Sequence, residues 1–61
     1  MKLKALISII SKYDKMNIQD EKGVVLYDGL TGDLNKQMLK GHLNKTVACI
    51  RAYKDTIIIL L

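Results

Sequence analysis

Residues 16–28, MNIQDEKGVVLYD, decide how this chain folds. The first four of them, Met16 to Gln19, alternate apolar and polar side chains, as expected for a strand with one buried face. The next four residues are polar types typical of turns, and Gly23 can adopt the positive φ that closes such a loop. The run from Val24 to Tyr27 is rich in the β-branched and aromatic types that favour strands. The stretch therefore predicts a β-hairpin.

A second hairpin is predicted at the other end of the sequence, in residues 46–61, TVACIRAYKDTIIILL. Two runs rich in strand-forming residues flank the polar pair Lys54 and Asp55, which supplies the turn. The second run is apolar on both of its faces. We therefore expect this last strand to lie in the middle of a sheet or beneath a partner.

The first twelve residues carry a helical repeat. Its apolar members are spaced i, i+3, i+4 and i+7 and are Leu3, Leu6, Ile7 and Ile10. This spacing predicts an amphipathic helix over residues 2–12. Ile9 falls outside the stripe, so it widens the apolar surface and is expected to meet another chain.

A shorter helix is predicted over residues 34–40, where Leu34, Met38 and Leu39 recur at helical spacing. Asp33 precedes them and is expected to be the N-cap, because its carboxylate can accept the free N–H groups of a first turn. Gly41 follows them and suits a left-handed helix end. This helix would connect the two hairpins.

The predicted element order is α-β-β-α-β-β. A chain of 61 residues is too short for a barrel or a dinucleotide-binding sheet, so we predict a single small α+β domain over residues 1–61. Its expected architecture is an antiparallel-rich four-stranded sheet with two helices on one face.

Three segments together carry a resemblance: Lys2-Leu3-Lys4-Ala5-Leu6, the hairpin Asp20-Glu21-Lys22-Gly23-Val24-Val25-Leu26-Tyr27-Asp28-Gly29, and Gly32-Asp33-Leu34. The chain resembles small uncharacterised proteins of low-GC Gram-positive bacteria and their phages. In that group a helix precedes an Asp-Glu-x-Gly-x-x-Leu-Tyr-acid-Gly hairpin, a short Leu-rich helix and a terminal hairpin. Many members carry Pro where this chain has Asn35, which is compatible with a helix start there. The resemblance implies this fold and no activity.

Side chains that carry catalysis are scarce. His42 and Cys49 are the only His and the only Cys, and we interpret them as a solvated residue past a helix end and a small core residue. Asp20 and Glu21 are interpreted as solvated turn residues rather than metal ligands. No phosphate-binding glycine motif occurs. We therefore expect no enzyme, no catalytic residues, no metal, no cofactor and no small-molecule ligand.

The size of the chain favours association between copies. Folding removes roughly 6,000 Å² from water, and about 60% of that area is apolar. Burial of the apolar part stabilises by about 90 kcal/mol, and ordering the chain costs about the same. The predicted monomer is therefore marginal, and we expect a homo-oligomer, with a dimer favoured. The expected contact residues are the apolar ones in excess of a small core: Ile9, Ile57, Ile58, Ile59, Leu60 and Leu61.

Two features concern location. One Cys cannot form an internal disulfide, so the chain is expected in a reducing cytoplasm. The apolar run from Ala5 to Ile10 is too short for a signal peptide and ends near Lys12 without small residues typical of a cleavage site. The run from Ile57 to Leu61 is too short to cross a bilayer, so no membrane association is expected.

Charge is distributed unevenly, with a net +3 on residues 1–15, −3 on residues 16–33 and +4 on residues 34–61. The alternative hypothesis is therefore a nucleic-acid-binding accessory protein, phage-linked, whose affinity falls steeply with salt. Its contact residues would be Lys2, Lys4, Lys12, Lys36, Lys40, Lys45 and Arg51. Nine of the ten cations are Lys, which is poorly suited to bidentate contacts, and this weighs against the hypothesis. An acidic partner protein would fit the same residues, and opposite charges could also orient two identical chains.

Overall fold

The computed structural model describes all 61 residues. It contains one α-helix and four β-strands, and two short 3-10 turns connect the second strand to the third. The helix α1 is Leu3–Ile9, the strands are β1 Lys15–Gln19, β2 Val25–Leu30, β3 Cys49–Tyr53 and β4 Thr56–Leu60, and the 3-10 turns are Thr31–Asp33 and Lys36–Leu39. No helix of the chain has the length and apolar character needed to cross a bilayer.

The four strands form one mixed sheet in the order β2-β1-β4-β3. The pairs β1–β2 and β3–β4 are antiparallel hairpins, and the central pair β1–β4 is parallel. The predicted hairpins are therefore confirmed, and β4 lies in the middle of the sheet as its apolar sequence indicates. The parallel central pair qualifies the expected antiparallel-rich sheet. The strand order makes β2 and β3 the two edges of the sheet.

The core lies on one face of the sheet. It consists of seven buried apolar side chains, drawn from α1, the two central strands and the second 3-10 turn: Leu3, Leu6, Ile7, Met16, Ile18, Leu39 and Ile59. Met16 and Ile18 of β1 are register partners of Ile57 and Ile59 of β4. Because side chains alternate along a strand, these positions share one face, which we call the core face.

The turn between β1 and β2 is held by one carboxylate. Gly23 adopts a φ of +80°, as the sequence predicts. Asp20 Oδ1 accepts the backbone N–H groups of Lys22 and Val24 at 2.8 and 2.9 Å. These bonds favour the ionised carboxylate, the one from Val24 most, and they lower the pKa of Asp20. The turn is therefore specified by Asp20 together with Gly23.

We expect the stability of the protein to fall at low pH partly through Asp20. Its pKa in the folded state lies below the ordinary value of 3.8, so its contribution is fully present above that value. The contribution is lost as pH falls through the folded-state pKa, because a protonated carboxyl is a weaker acceptor. Thermal unfolding midpoints between about pH 6 and pH 2 measure this loss.

The control for that experiment is Asp20→Asn, which keeps an acceptor oxygen but does not titrate. Its midpoint should fall less steeply with pH than that of the wild type. Other carboxylates still titrate in this variant, notably that of Asp55, whose pKa is lowered by Lys15. Identical pH profiles for wild type and variant would show that Asp20 is not linked to folding.

The first helix is shorter than predicted. It begins at Leu3 because Lys2 forms an isolated antiparallel bridge with Thr46. It ends at Ile9 because Ile10 adopts an extended conformation, with φ −86° and ψ 135°, in which its side chain packs against the core. The prediction of residues 2–12 was wrong at its C-terminal end. Ser and β-branched residues are modest helix formers, so nothing local extends the helix further.

The second predicted helix, over residues 34–40, is absent as an α-helix. Asp33 ends the first 3-10 turn and is not an N-cap, whereas Asn35 accepts the N–H of Gln37 at 3.0 Å and caps the second turn. Gly41 does not have a positive φ, so the predicted left-handed end is also wrong. Leu39 is the only fully buried side chain of this segment, and Leu34 packs against the core while partly buried. The chain therefore has one α-helix, not two.

Candidate interaction surface

The face of the sheet opposite α1 carries a mixture of polar and apolar side chains. Ile58 of β4 is the register partner of both Asn17 and Arg51, and Asn17 is in turn the partner of Asp28. These four residues form one row across the sheet, on the face that alternation places away from the core. We call this the open face. Ile58 and Leu60 lie on it and are half-buried without packing against the core cluster.

The two edge strands expose large apolar side chains. On β2, Val25 and Leu30 are 51% and 40% exposed. On β3, Ile50 and Tyr53 are 52% and 63% exposed. Each edge strand has a neighbour on one side only, so its outer backbone groups have no strand to pair with. Apolar surface and unpaired strand backbone therefore coincide at both edges.

The start of β2 is irregular. Ile18 pairs with Tyr27 and the next residue, Gln19, pairs with Val25, so Leu26 is an extra residue in the ladder. This β-bulge turns both Leu26 and Tyr27 toward the core. The phenol of Tyr27 donates a hydrogen bond to the carbonyl of Leu30. Burial raises the pKa of Tyr27, and the negative charges of Asp33 and Asp28 add to the effect. Beyond the bulge the pairing register with β1 is regular.

Opposite charges stand at the middle of the two edges. Asp28 lies on β2 and Arg51 on β3, and both are exposed. They occupy the same row of the open face but are three strand spacings apart, about 14 Å. Neither forms an ion pair within the molecule. The two ion pairs of the chain are Lys15–Asp55 at 3.3 Å and Lys45–Glu21 at 3.6 Å.

The structure separates the residues that the sequence assigns to self-association. Ile59 is fully buried in the core, so its assignment to a contact surface is wrong. Ile57 and Leu61 pack against the same core and are half-buried. Ile58 and Leu60 lie on the open face. Ile9 is 70% exposed on α1, which packs on the other face of the sheet.

Sequence reasoning missed the apolar residues of the edges, Val25, Leu30, Ile50 and Tyr53. One signal was present for β3, because Arg51 interrupts an apolar run between Ile50 and Ala52. A charged residue in mid-strand is typical of an edge, whereas the uninterrupted apolar run of β4 is typical of a central strand. For β2, Asp28 gives the same indication.

Three of the cations assigned to nucleic-acid binding lie in one region. Lys2 and Lys4, at the start of α1, are placed beside Lys45 because the N-terminal backbone pairs with the segment that precedes β3. The ammonium group of Lys45 is already engaged by Glu21. The region is therefore basic, with part of its charge neutralised.

The other four cations lie elsewhere. Lys12 follows the end of α1 and its ammonium group lies 5.1 Å from the centre of the Tyr13 ring. Lys36 and Lys40 belong to the second 3-10 turn and its end. Arg51 is on the open face, on the opposite side of the sheet from α1. No single face carries all seven residues.

The two residues with the most reactive side chains, Cys49 and His42, are both half-buried. Cys49 is a free thiol, half-buried at the start of β3 and not part of the core cluster, so its interpretation as a core residue needs correction. His42 is half-buried rather than solvated, and its Nδ1 is buried without a hydrogen-bond partner. The surface has no cleft, and no three His, Cys, Asp or Glu side chains lie close enough to share a metal ion.

Comparison with known proteins gives no relative from which to interpret this surface. No protein-family model, no curated protein and no solved structure matches the chain. The resemblance to small proteins of low-GC Gram-positive bacteria and their phages therefore stays a prediction.

Proposed function

We propose that this protein is a small, non-catalytic interaction module whose partner is a second copy of the same chain, bound through the edges of its sheet. The observation that carries the proposal is the coincidence, at both edges, of exposed apolar side chains with unpaired strand backbone. Proteins usually protect such edges with charged side chains, Pro, a β-bulge or a covering element. β2 and β3 contain no Lys or Pro, and each carries a single charged residue, Asp28 or Arg51. A second copy would cover these edges.

The small core supports the same proposal. Only seven of the 61 residues are buried, and all of them lie on one face of the sheet. A chain of this size gains little stability from its own core, and a partner that binds only the folded state adds to it. Pairing of edge strands supplies backbone hydrogen bonds as well as apolar contact.

Two further features are part of the proposal. We infer that the protein acts in the cytoplasm, where the free thiol of Cys49 stays reduced.

Nucleic-acid binding is the alternative function, and the basic region formed by Lys2, Lys4 and Lys45 is the surface that favours it. In that case association with DNA or RNA would weaken as salt rises.

We expect sedimentation velocity to show that the wild-type chain is larger than a 6.9 kDa particle and grows with concentration. Ile50→Lys should shift the protein to the monomer, because Lys on an edge strand places a charge in the contact. The wild type and the variant are measured at the same protein concentration, and circular dichroism shows whether each of them is folded.

The matched control is Ile9→Lys, which introduces the same charge at an exposed isoleucine of α1. We expect it to leave association unchanged. A reversed pattern, with Ile9→Lys giving the monomer, would place the contact on α1 and contradict an edge contact. A wild-type monomer at every concentration would refute self-association altogether.

A further inference from the structure

We propose that the two edges are complementary halves of one contact: β2 of one copy pairs with β3 of the next, in parallel, with Asp28 beside Arg51. This inference rests on the proposed self-association and specifies its geometry. The association is then head to tail, and each molecule uses two different surfaces.

The direction of the strands allows this pairing. β2 is antiparallel to β1, β1 is parallel to β4, and β4 is antiparallel to β3, so the two edge strands run the same way. A second copy moved across the sheet by four strand spacings, about 19 Å, would therefore bring its β2 alongside β3 as a parallel neighbour. The joined sheets keep the same face toward their helices.

The side chains of the two edges match in this arrangement. The rows of the sheet set Tyr27, Asp28, Gly29 and Leu30 of one copy beside Ile50, Arg51, Ala52 and Tyr53 of the next. Each apolar residue meets an apolar one, the two small residues meet, and the two unpaired charges meet with opposite sign. A register moved by two residues would set Asp28 beside Cys49 or Tyr53 and lose the ion pair.

Contacts between identical edges are less favourable. Two β3 strands paired about their middle residue bring Arg51 against a second Arg51, and two β2 strands paired at Asp28 bring two carboxylates together. Like charges that face each other across a strand pair are destabilising. The unpaired state of both charges in the monomer also means that no internal ion pair must break before the contact forms.

Head-to-tail pairing has a consequence for the size of the assembly. Each added copy leaves one β2 edge and one β3 edge free, so growth does not stop at a dimer. Sheets twist by roughly 20–25° per strand, so successive four-stranded copies would rotate by about 90°. We therefore expect an open, helical series of species instead of the dimer that the sequence favours.

The test uses two charge reversals, Asp28→Lys and Arg51→Glu, in the full-length chain. Each variant alone sets like charges at the contact, so its association constant should fall by about tenfold or more relative to the wild type. An equimolar mixture of the two variants should associate again, because every junction then joins opposite charges. The double variant should also associate by itself.

Sedimentation velocity and light scattering at equal total concentration give the readout, with circular dichroism to confirm folding. Loss of association in each single variant, together with its recovery in the mixture, supports head-to-tail pairing. If the wild type associates but only Arg51→Glu or only Asp28→Lys changes it, the contact joins identical edges, and this inference fails while the proposed function stands. If neither variant changes the association, neither charge lies in the contact, and this inference fails while self-association stands. A monomeric wild type overturns both proposals.

Discussion

Replacing Ile59 with Ala is expected to remove most of the stability of the protein. The side chain of Ile59 is fully buried on the core face of β4, between Ile18 of β1 and Ile50 of β3. Removal of a buried Ile side chain to Ala costs about 2–5 kcal/mol, because transfer energy is lost and a cavity remains. A 61-residue domain has a total free energy of unfolding of about 3–9 kcal/mol. The expected loss is therefore comparable to the total free energy of unfolding.

The measurement is urea or thermal unfolding followed by circular dichroism, at one protein concentration because association would itself add stability. The matched control is Ile58→Ala, which removes the same groups one residue away on the open face. We expect Ile58→Ala to cost less than half as much. Equal losses of unfolding free energy in the two variants would mean that both faces of β4 are equally well packed. That result would contradict a core on one face of the sheet.

Both hairpins could be predicted because their determinants are local. Gly23 and Asp20 specify the first turn, and the polar pair Lys54 and Asp55 specifies the second, where Lys54 takes the positive φ of +55°. A two-residue separation between strand-like runs leaves few other conformations. The apolar sequence of β4 predicted a place in the middle of the sheet or beneath a partner, and the strand order shows the first of these.

The strand order could not be predicted because it depends on distant parts of the chain. β1 and β4 pair in parallel although some 40 residues separate them, and no local pattern encodes that register. The prediction of a helix over residues 34–40 was wrong for a related reason. A helix of two turns is marginal without strong packing, and Leu39 is the only fully buried side chain of the segment. The segment therefore takes the shorter 3-10 form around Asn35.

The candidate surface was predictable only in part. The excess of apolar side chains and the separation of opposite charges along the chain are visible in the sequence, and both enter the proposals. Which residues remain exposed depends on which strands become edges. Ile59 and Ile50 are both isoleucines in strand-like runs, yet one is fully buried and the other is 52% exposed. Ile59 lies on a central strand and Ile50 on an edge strand.

Replacing Leu39 with Ala is expected to loosen the whole connection between β2 and β3. Leu39 is the one fully buried side chain in that connection, and its carbonyl accepts the N–H groups of His42 and Leu43 at 2.7 and 3.1 Å. We expect a loss of about 2–5 kcal/mol in the free energy of unfolding. Amide hydrogen exchange should accelerate first at His42 and Leu43, before the amides of β1 and β4.

The adjacent residue provides the control, because Met38 lies on the same 3-10 turn and is 64% exposed. Met38→Ala should leave both the unfolding curve and the exchange of the turn amides close to wild type. The connection also fixes the start of α1, since Leu3 and Lys4 donate their N–H groups to the carbonyls of Lys45 and Leu43. Faster exchange should therefore spread to the start of α1. Unchanged protection there would show that α1 is held by its packing on the sheet and not by this connection.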